Sequence, residues 1–144
     1  ASLAEAMAAT WQAQLDLDGQ DPATVAHRLR RSRERLTTAP LLVVPCLYLE
    51  ELDVYPDPAR QEAERTMAIQ SLGAAVQNLL LNLYASGLDA GWMCAPLFCP
   101  EVVRRELGLA ADLDPHALIA VGYAAKDPVR RTRLPLDRLI VGWE

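Results

Sequence analysis

A chain of 144 residues with a net charge of −5, from 14 basic and 19 acidic side chains, is sized for one domain and is a poor general partner for nucleic acid. Apolar residues make up 51% and aromatic residues only 6%, so the core is aliphatic, and either it is large for the chain or a partner covers part of it. Three irregularly spaced cysteines do not form a disulfide framework, neither histidine pairs with a cysteine at zinc-site spacing, and no apolar run reaches the roughly 18 residues of a membrane span, so the expectation is a reduced, cytoplasmic protein without metal.

In chain order, Leu3, Met7, Trp11 and Leu15 recur at steps of four and predict an amphipathic helix over the first fifteen residues. Asp21-Pro22 offers an N-cap followed by proline at the first helical position, and a second helix runs from there to about Leu36. Its stretch from His27 to Arg35 holds five arginines against one glutamate, most of them expected to point outward. A local positive patch on an acidic chain suits a discrete anion better than a polyanion.

Pro40 to Leu49 is a short apolar run bounded by turn residues and predicts one buried strand covered on both faces. Asp57-Pro58 repeats the capping signal and opens the longest helix, near 28 residues, ending where Gly87 supplies a C-terminal cap. Between Leu72 and Leu83 its polar side chains are Gln77, Asn78 and Asn82, and a helix apolar almost all round is buried on most sides. A domain of this size hardly surrounds so long a helix, so part of it is expected to face a second subunit, with Gly73 allowing close approach. Asp89 to Pro96 reads as a strand ending in a loop, Pro100 to Gly108 as a short helix, Ala117 to Ala125 as a strand, and Asp137 to Trp143 as a final strand. The fold class is α+β, a mixed sandwich of helices on a sheet.

The chemistry-bearing residues are few. There is no nucleophile-elbow motif and no G-x-G-x-x-G, so neither side-chain hydrolysis nor a Rossmann dinucleotide site is indicated. His116 reads as a strand-edge residue touching solvent. Cys94 and Cys99 lack the C-x-x-C spacing of a redox pair. Two features remain. The basic segment Arg130-Arg131-Thr132-Arg133 is either a solvated charge run or a fork for a phosphate. The GWMCAP loop has small, apolar residues that can bring backbone N–H groups against a flat ligand.

The segment GAAVQNLLLNLYASGLDAGWM resembles the central helix and following strand of the FMN-dependent nitroreductase family. The resemblance continues through a short helix ending in LGL, the strand ALIAVGYA and the basic RTRLP. More narrowly, APLLVVPCLYLEE, YPDPARQEAERTM and LFCPEVVRREL are similar to the nitroreductase-type domain fused to the γ-glutamyl ligase of deazaflavin coenzyme F-420 maturation. The resemblance covers essentially all 144 residues as one domain. It implies a homodimer with the long helix at the interface and FMN in clefts between subunits. It also implies Met93, Cys94 and Ala95 beside the flavin ring and Arg131 and Arg133 on its phosphate.

The implied activity is an FMN-dependent oxidoreductase, either reducing a dehydro-precursor of the deazaflavin coenzyme or acting as a general nitro or quinone reductase. No side chain is assigned as a catalytic proton donor. The family's opening Arg-rich motif and its P-S-x-x-N-x-Q-P-W segment are not found in this sequence. The resemblance therefore implies a domain shortened at its N-terminus that binds FMN weakly by itself. A flavin-free domain serving binding or dimerisation is the alternative.

Overall fold

A computed structural model describes residues 2–125, 132–140 and 142. Four α-helices and five short strands follow one another as α1 (Ser2–Leu17), α2 (Pro22–Thr38), β1 (Leu41–Val43), β2 (Cys46–Tyr48), α3 (Pro58–Ala85), β3 (Asp89–Met93), α4 (Pro100–Leu107), β4 (Leu113–Pro115) and β5 (Leu118–Gly122). Both capping signals are used. The Asp21 carboxylate accepts from the Thr24 backbone N–H at 3.0 Å, and Asp57 accepts from that of Arg60 at 3.0 Å. α4 ends on Gly108 in the left-handed conformation, at φ +62°, which glycine adopts without steric cost.

β5 is the centre of the molecule. It is flanked by β1 and β3, both antiparallel to it, in the order β1-β5-β3. Alternate residues of an extended segment point to opposite faces, and here each face finds a helical layer. Ala117, Ile119 and Val121 pack with Val76 of α3, together with Leu79, Leu80 and Leu83. Leu118 points the other way, into a cluster with Leu3, Ala4 and Met7 of α1, Leu36 of α2 and Val103 of α4. The result is a mixed helix and sheet sandwich with α3 on one side and α1, α2 and α4 on the other, in the α+β class that the sequence predicts.

Several elements differ from the sequence expectation. The apolar run Pro40–Leu49 is two strands in two sheets. β1 joins β5, while β2 pairs with β4. The break falls at Pro45, which has no N–H to give to a ladder, and its carbonyl instead accepts from the His116 N–H at 2.9 Å. β4 itself, three residues containing Asp114 and Pro115, has no strand-like pattern in the sequence. The expected strand from Asp137 to Trp143 is not formed over its described residues. Leu136–Arg138 is a single 3₁₀ turn with Leu139 exposed beside it, and residues 141, 143 and 144 lie outside the described part.

His116 is buried, not solvent-facing. Its Nε2 stands 3.3 Å from an Asp114 carboxylate oxygen without the alignment of a hydrogen bond. Burial follows from the β2–β4 pairing, which the sequence pattern does not disclose.

α3 has the predicted length, 28 residues, but within one chain only Val76 of it is buried. Met67, Ile69, Leu81 and Tyr84 are exposed. A β-carbon added at Gly73 would meet nothing within 4 Å. No described helix is long and apolar enough to cross a membrane.

Candidate functional site

The loop after β3 begins at Met93 and turns through the 3₁₀ segment Ala95–Phe98 into α4. Pro96 and Cys99 are buried beneath it and anchor it. The Cys99 Sγ–H lies 3.6 Å from the Ala95 carbonyl, and the Gln14 side-chain amide donates to the Phe98 carbonyl at 3.3 Å, tying the loop to α1. This leaves Met93 half-buried and Cys94 and Ala95 exposed.

Met93 and Ala95 open on a cavity of about 670 Å³ between this loop, α1 and α2. Its α1 wall is Met7, Thr10, Trp11 and Gln14, residues three and four apart that share one helix face. Trp11, predicted as a core position, is half-buried and turned partly toward the cavity. The α2 wall carries Arg28, Arg31 and Arg35, again at steps of three and four, with His27 beside them. The same helix separates its other charges from these. Arg33 donates to Glu5 at 2.9 Å, and Arg30 faces Glu34 at 3.9 Å.

A second cavity of about 690 Å³ lies over the β3–β5 face. Gly91 and Trp92 line it with Gly122, Tyr123 and Ala124 at the end of β5. Met93 and Arg35 line both cavities.

Of the candidate residues that the sequence marks, Met93 and Ala95 thus share one cavity, with Cys94 exposed between them. Arg133 is described and exposed, and lines neither cavity. Arg131 lies outside the described residues. The sequence marks the arginines of α2 as a patch but not as a cavity wall. Their spacing at 28, 31 and 35 is the signal that could have found it. Burial pushes the Cys99 thiol above its ordinary range, and burial with the nearby Asp114 charge does the same for Cys46, so both are held as neutral thiols. Among the described residues no cluster of histidine, cysteine and carboxylate side chains could hold a metal ion.

A family model with the description "Nitroreductase family" matches residues 1–123. Among curated proteins, the chain is 38% identical over 81 residues to a protein named NADH dehydrogenase from Thermus thermophilus. That alignment takes in 56% of this chain and 38% of the relative, so the match spans well under half of that protein's length. Among solved structures, a BluB-like flavoprotein from Clostridium difficile 630 superposes with a TM-score of 0.68 at 20% identity, over 99% of this chain and 73% of that one. A nitroreductase-like family protein from Bacillus cereus gives 0.64 at 17% identity, over 99% and 67%. The FMN and NADPH-dependent nitroreductase NfnB from Sphigopyxis sp. strain HMH gives 0.54 at 23% identity, over 87% and 51%. At such identities the structural likeness establishes the fold.

Proposed function

The chain belongs to the nitroreductase family, and from that premise we propose that residues 1–144 are one domain of an FMN-dependent oxidoreductase that works on small molecules as a homodimer. The observation that carries the reading is the position of Met93, on the wall of two cavities each large enough for a mononucleotide-sized ligand. FMN, when bound, supplies the two-electron redox chemistry, and the protein supplies binding, orientation and electrostatics.

The residues present fit such a group. The stretch Met93, Cys94 and Ala95 offers a partly exposed backbone and small side chains for the edge of a flat ring, held rigid by buried Pro96 and Cys99. From Met93 the second cavity leads to Tyr123 and Ala124, a few residues before the basic segment that contains Arg131 and Arg133. Guanidinium groups there suit a phosphate, since a forked pair of charge-assisted bonds holds it in place and orientation. Met93 and Ala95 carry no titratable side chain of their own, and no residue is assigned a proton-transfer role. Cys94 is exposed, and its neighbours are apolar or small.

The homodimer is supported by α3. Met67, Ile69, Leu81 and Tyr84 are apolar and exposed on a helix with a single buried residue, and a second copy would cover them. The narrower reading is reduction of a dehydro-precursor of deazaflavin coenzyme F-420, supported by the sequence likeness to the ligase-linked domain. A general nitro or quinone reductase is the second reading, favoured by the names of relatives that use NADH or NADPH. A flavin-free binding or dimerisation module is the third, and the exposed position of Arg133 away from both cavities is what favours it.

Turnover assays separate them. With FMN and reduced pyridine nucleotide present, the chain is supplied in turn with a dehydro-deazaflavin, a nitroaromatic and a quinone. Faster reduction of the dehydro-deazaflavin than of the other two supports the narrower reading. Preference for the nitroaromatic or quinone favours the second. A chain that retains no FMN and reduces none of the acceptors favours the third.

A further inference from the structure

We propose that His116 is a proton-sensitive switch on the tie between α3 and the β2–β4 sheet: once protonated, it takes the Asp114 carboxylate oxygen that holds Arg65 and releases that arginine. Three observations carry the assignment.

The first is an orphaned nitrogen aimed at an acceptor. His116 lies between β4 and β5 with its side chain 10% exposed. Its Nε2 is buried without a hydrogen-bond partner among the described residues, yet stands 3.3 Å from Asp114 Oδ2. Buried polar atoms are nearly always paired, so one left open beside a carboxylate calls for an explanation. The neutral ring carries its proton on either nitrogen, whereas the charged ring carries one on both. Charging the ring therefore obliges Nε2 to donate and makes a charge-assisted bond to Asp114 available after a small realignment.

The second is that the oxygen is already in use. Oδ2 of Asp114 accepts from Arg65 of α3 at 2.8 Å, and Oδ1 accepts from Arg104 of α4 at 3.4 Å. Glu101 of α4 pairs with Arg104, and from β2 the Cys46 thiol faces Asp114 as a neutral group. One carboxylate thus serves two guanidinium groups, and a charged His116 is a third cation on it.

The third is unequal exposure, which decides the cation that leaves. The Arg65 side chain is 42% exposed and that of Arg104 only 18%. Water can rehydrate Arg65 once it is released, whereas stranding Arg104 or a charged imidazole leaves an unpaired buried cation. Arg104 is held further by the Leu113 carbonyl at 3.2 Å. Within one chain α3 buries only Val76, so an ion pair at Arg65 matters to how its first half sits on the sheet. Met67 and Ile69, two and four residues on, are exposed, and any effect of the switch on assembly rests on the dimer reading. The exchange at Asp114 itself does not.

The test uses the full chain without flavin, at one fixed concentration, from pH 8 to pH 5.5, where histidine side chains change charge and most carboxylates do not. In the wild type, nuclear magnetic resonance should show the His116 ring signals and the Arg65 Nε–H signal moving together with one midpoint. Urea unfolding gives the second reading. At pH 8, Arg65→Gln should lower the folded-to-unfolded ratio roughly three- to fivefold, the upper range for a part-exposed ion pair. At pH 5.5 it should lower it little. In a His116→Gln background the three- to fivefold loss should persist at both pH values. A His116 ring that keeps its charge state across the range overturns the proposal, as does an Arg65 signal that stays still while His116 titrates. An Arg65→Gln loss that is the same at both pH values in the wild-type background, or that fades equally in His116→Gln, also overturns it. If His116→Gln does not fold, the wild-type resonances decide alone.

Discussion

Arg35 of α2 and Met93 at the end of β3 line both of the cavities described above, so a charge and a polarisable apolar side chain from distant parts of the sequence form their common wall. Arg35→Ala is therefore expected to weaken ligands of both cavities. Arg31→Ala, whose side chain lines one cavity, should weaken only ligands of that cavity. Titration of FMN against wild type and Arg35→Ala checks the shared wall, and an Arg35→Ala protein with unaltered FMN affinity would contradict it.

Asp114 is a junction among helices and strands. Its carboxylate accepts from Arg65 of α3 at 2.8 Å and from Arg104 of α4 at 3.4 Å, and Arg104 also pairs with Glu101. Asp114 and Arg104 are both largely shielded from water. Asp114→Ala leaves the Arg104 guanidinium facing the protein with less compensation. The expected cost is about 2 kcal/mol, or about 6 °C in Tm, measured by thermal unfolding. A change within about 1 °C, well below that expectation, would show the junction to be energetically idle.

The caps carry a pH signature. The backbone N–H of Arg60, and then its side chain, stabilise the ionised Asp57 carboxylate and lower its pKa below the ordinary 3.8. A carboxylate whose folded pKa is depressed contributes stability above its unfolded pKa, and that contribution is lost as pH falls through the folded value. Asp57→Ala should be less stable than wild type at neutral pH, with the difference shrinking in acid below the ordinary value. Urea unfolding at several pH values measures it. A difference that stays constant with pH would assign the effect to packing.

Gly73→Leu tests the dimer. Within one chain the added side chain meets open space at its first carbon, so folding should be nearly unaffected apart from a small gain in helix propensity. If α3 packs on its copy near Gly73, the same change should shift a dimer toward monomer in sedimentation velocity. An unchanged sedimentation coefficient, or a wild-type chain that is monomeric at micromolar concentration, would remove α3 from the interface.

Legibility in the sequence follows the reach of local chemistry. Asp21-Pro22 and Asp57-Pro58 announce helices because capping acts within four residues, and both helices begin there. The apolar run Ala117–Ala125 announces a strand, and β5 forms within it at Leu118–Gly122, covered by helices on both faces. The split at Pro45, the strand β4 and the burial of His116 are not legible. They depend on the β2–β4 pairing between residues far apart in the chain, as in Tyr48 with Leu113 and Cys46 with Pro115. The candidate site divides the same way. Small apolar residues mark the GWMCAP loop and the family resemblance names Met93–Ala95 within it, whereas its placement opposite Arg28, Arg31 and Arg35 arises only when α1 and α2 pack.

The most direct measurement is an equilibrium titration of FMN and of riboflavin with the purified chain, read by flavin fluorescence, for wild type and Arg133→Ala. Saturable quenching of both flavins by the wild type is predicted, weak in absolute affinity. The substitution should lower FMN affinity ten- to a hundredfold, as loss of one charge-assisted bond implies, while riboflavin, which lacks the phosphate, is unaffected. Equal losses for both flavins would contradict the phosphate assignment, and no saturable quenching of either would contradict the flavin site itself.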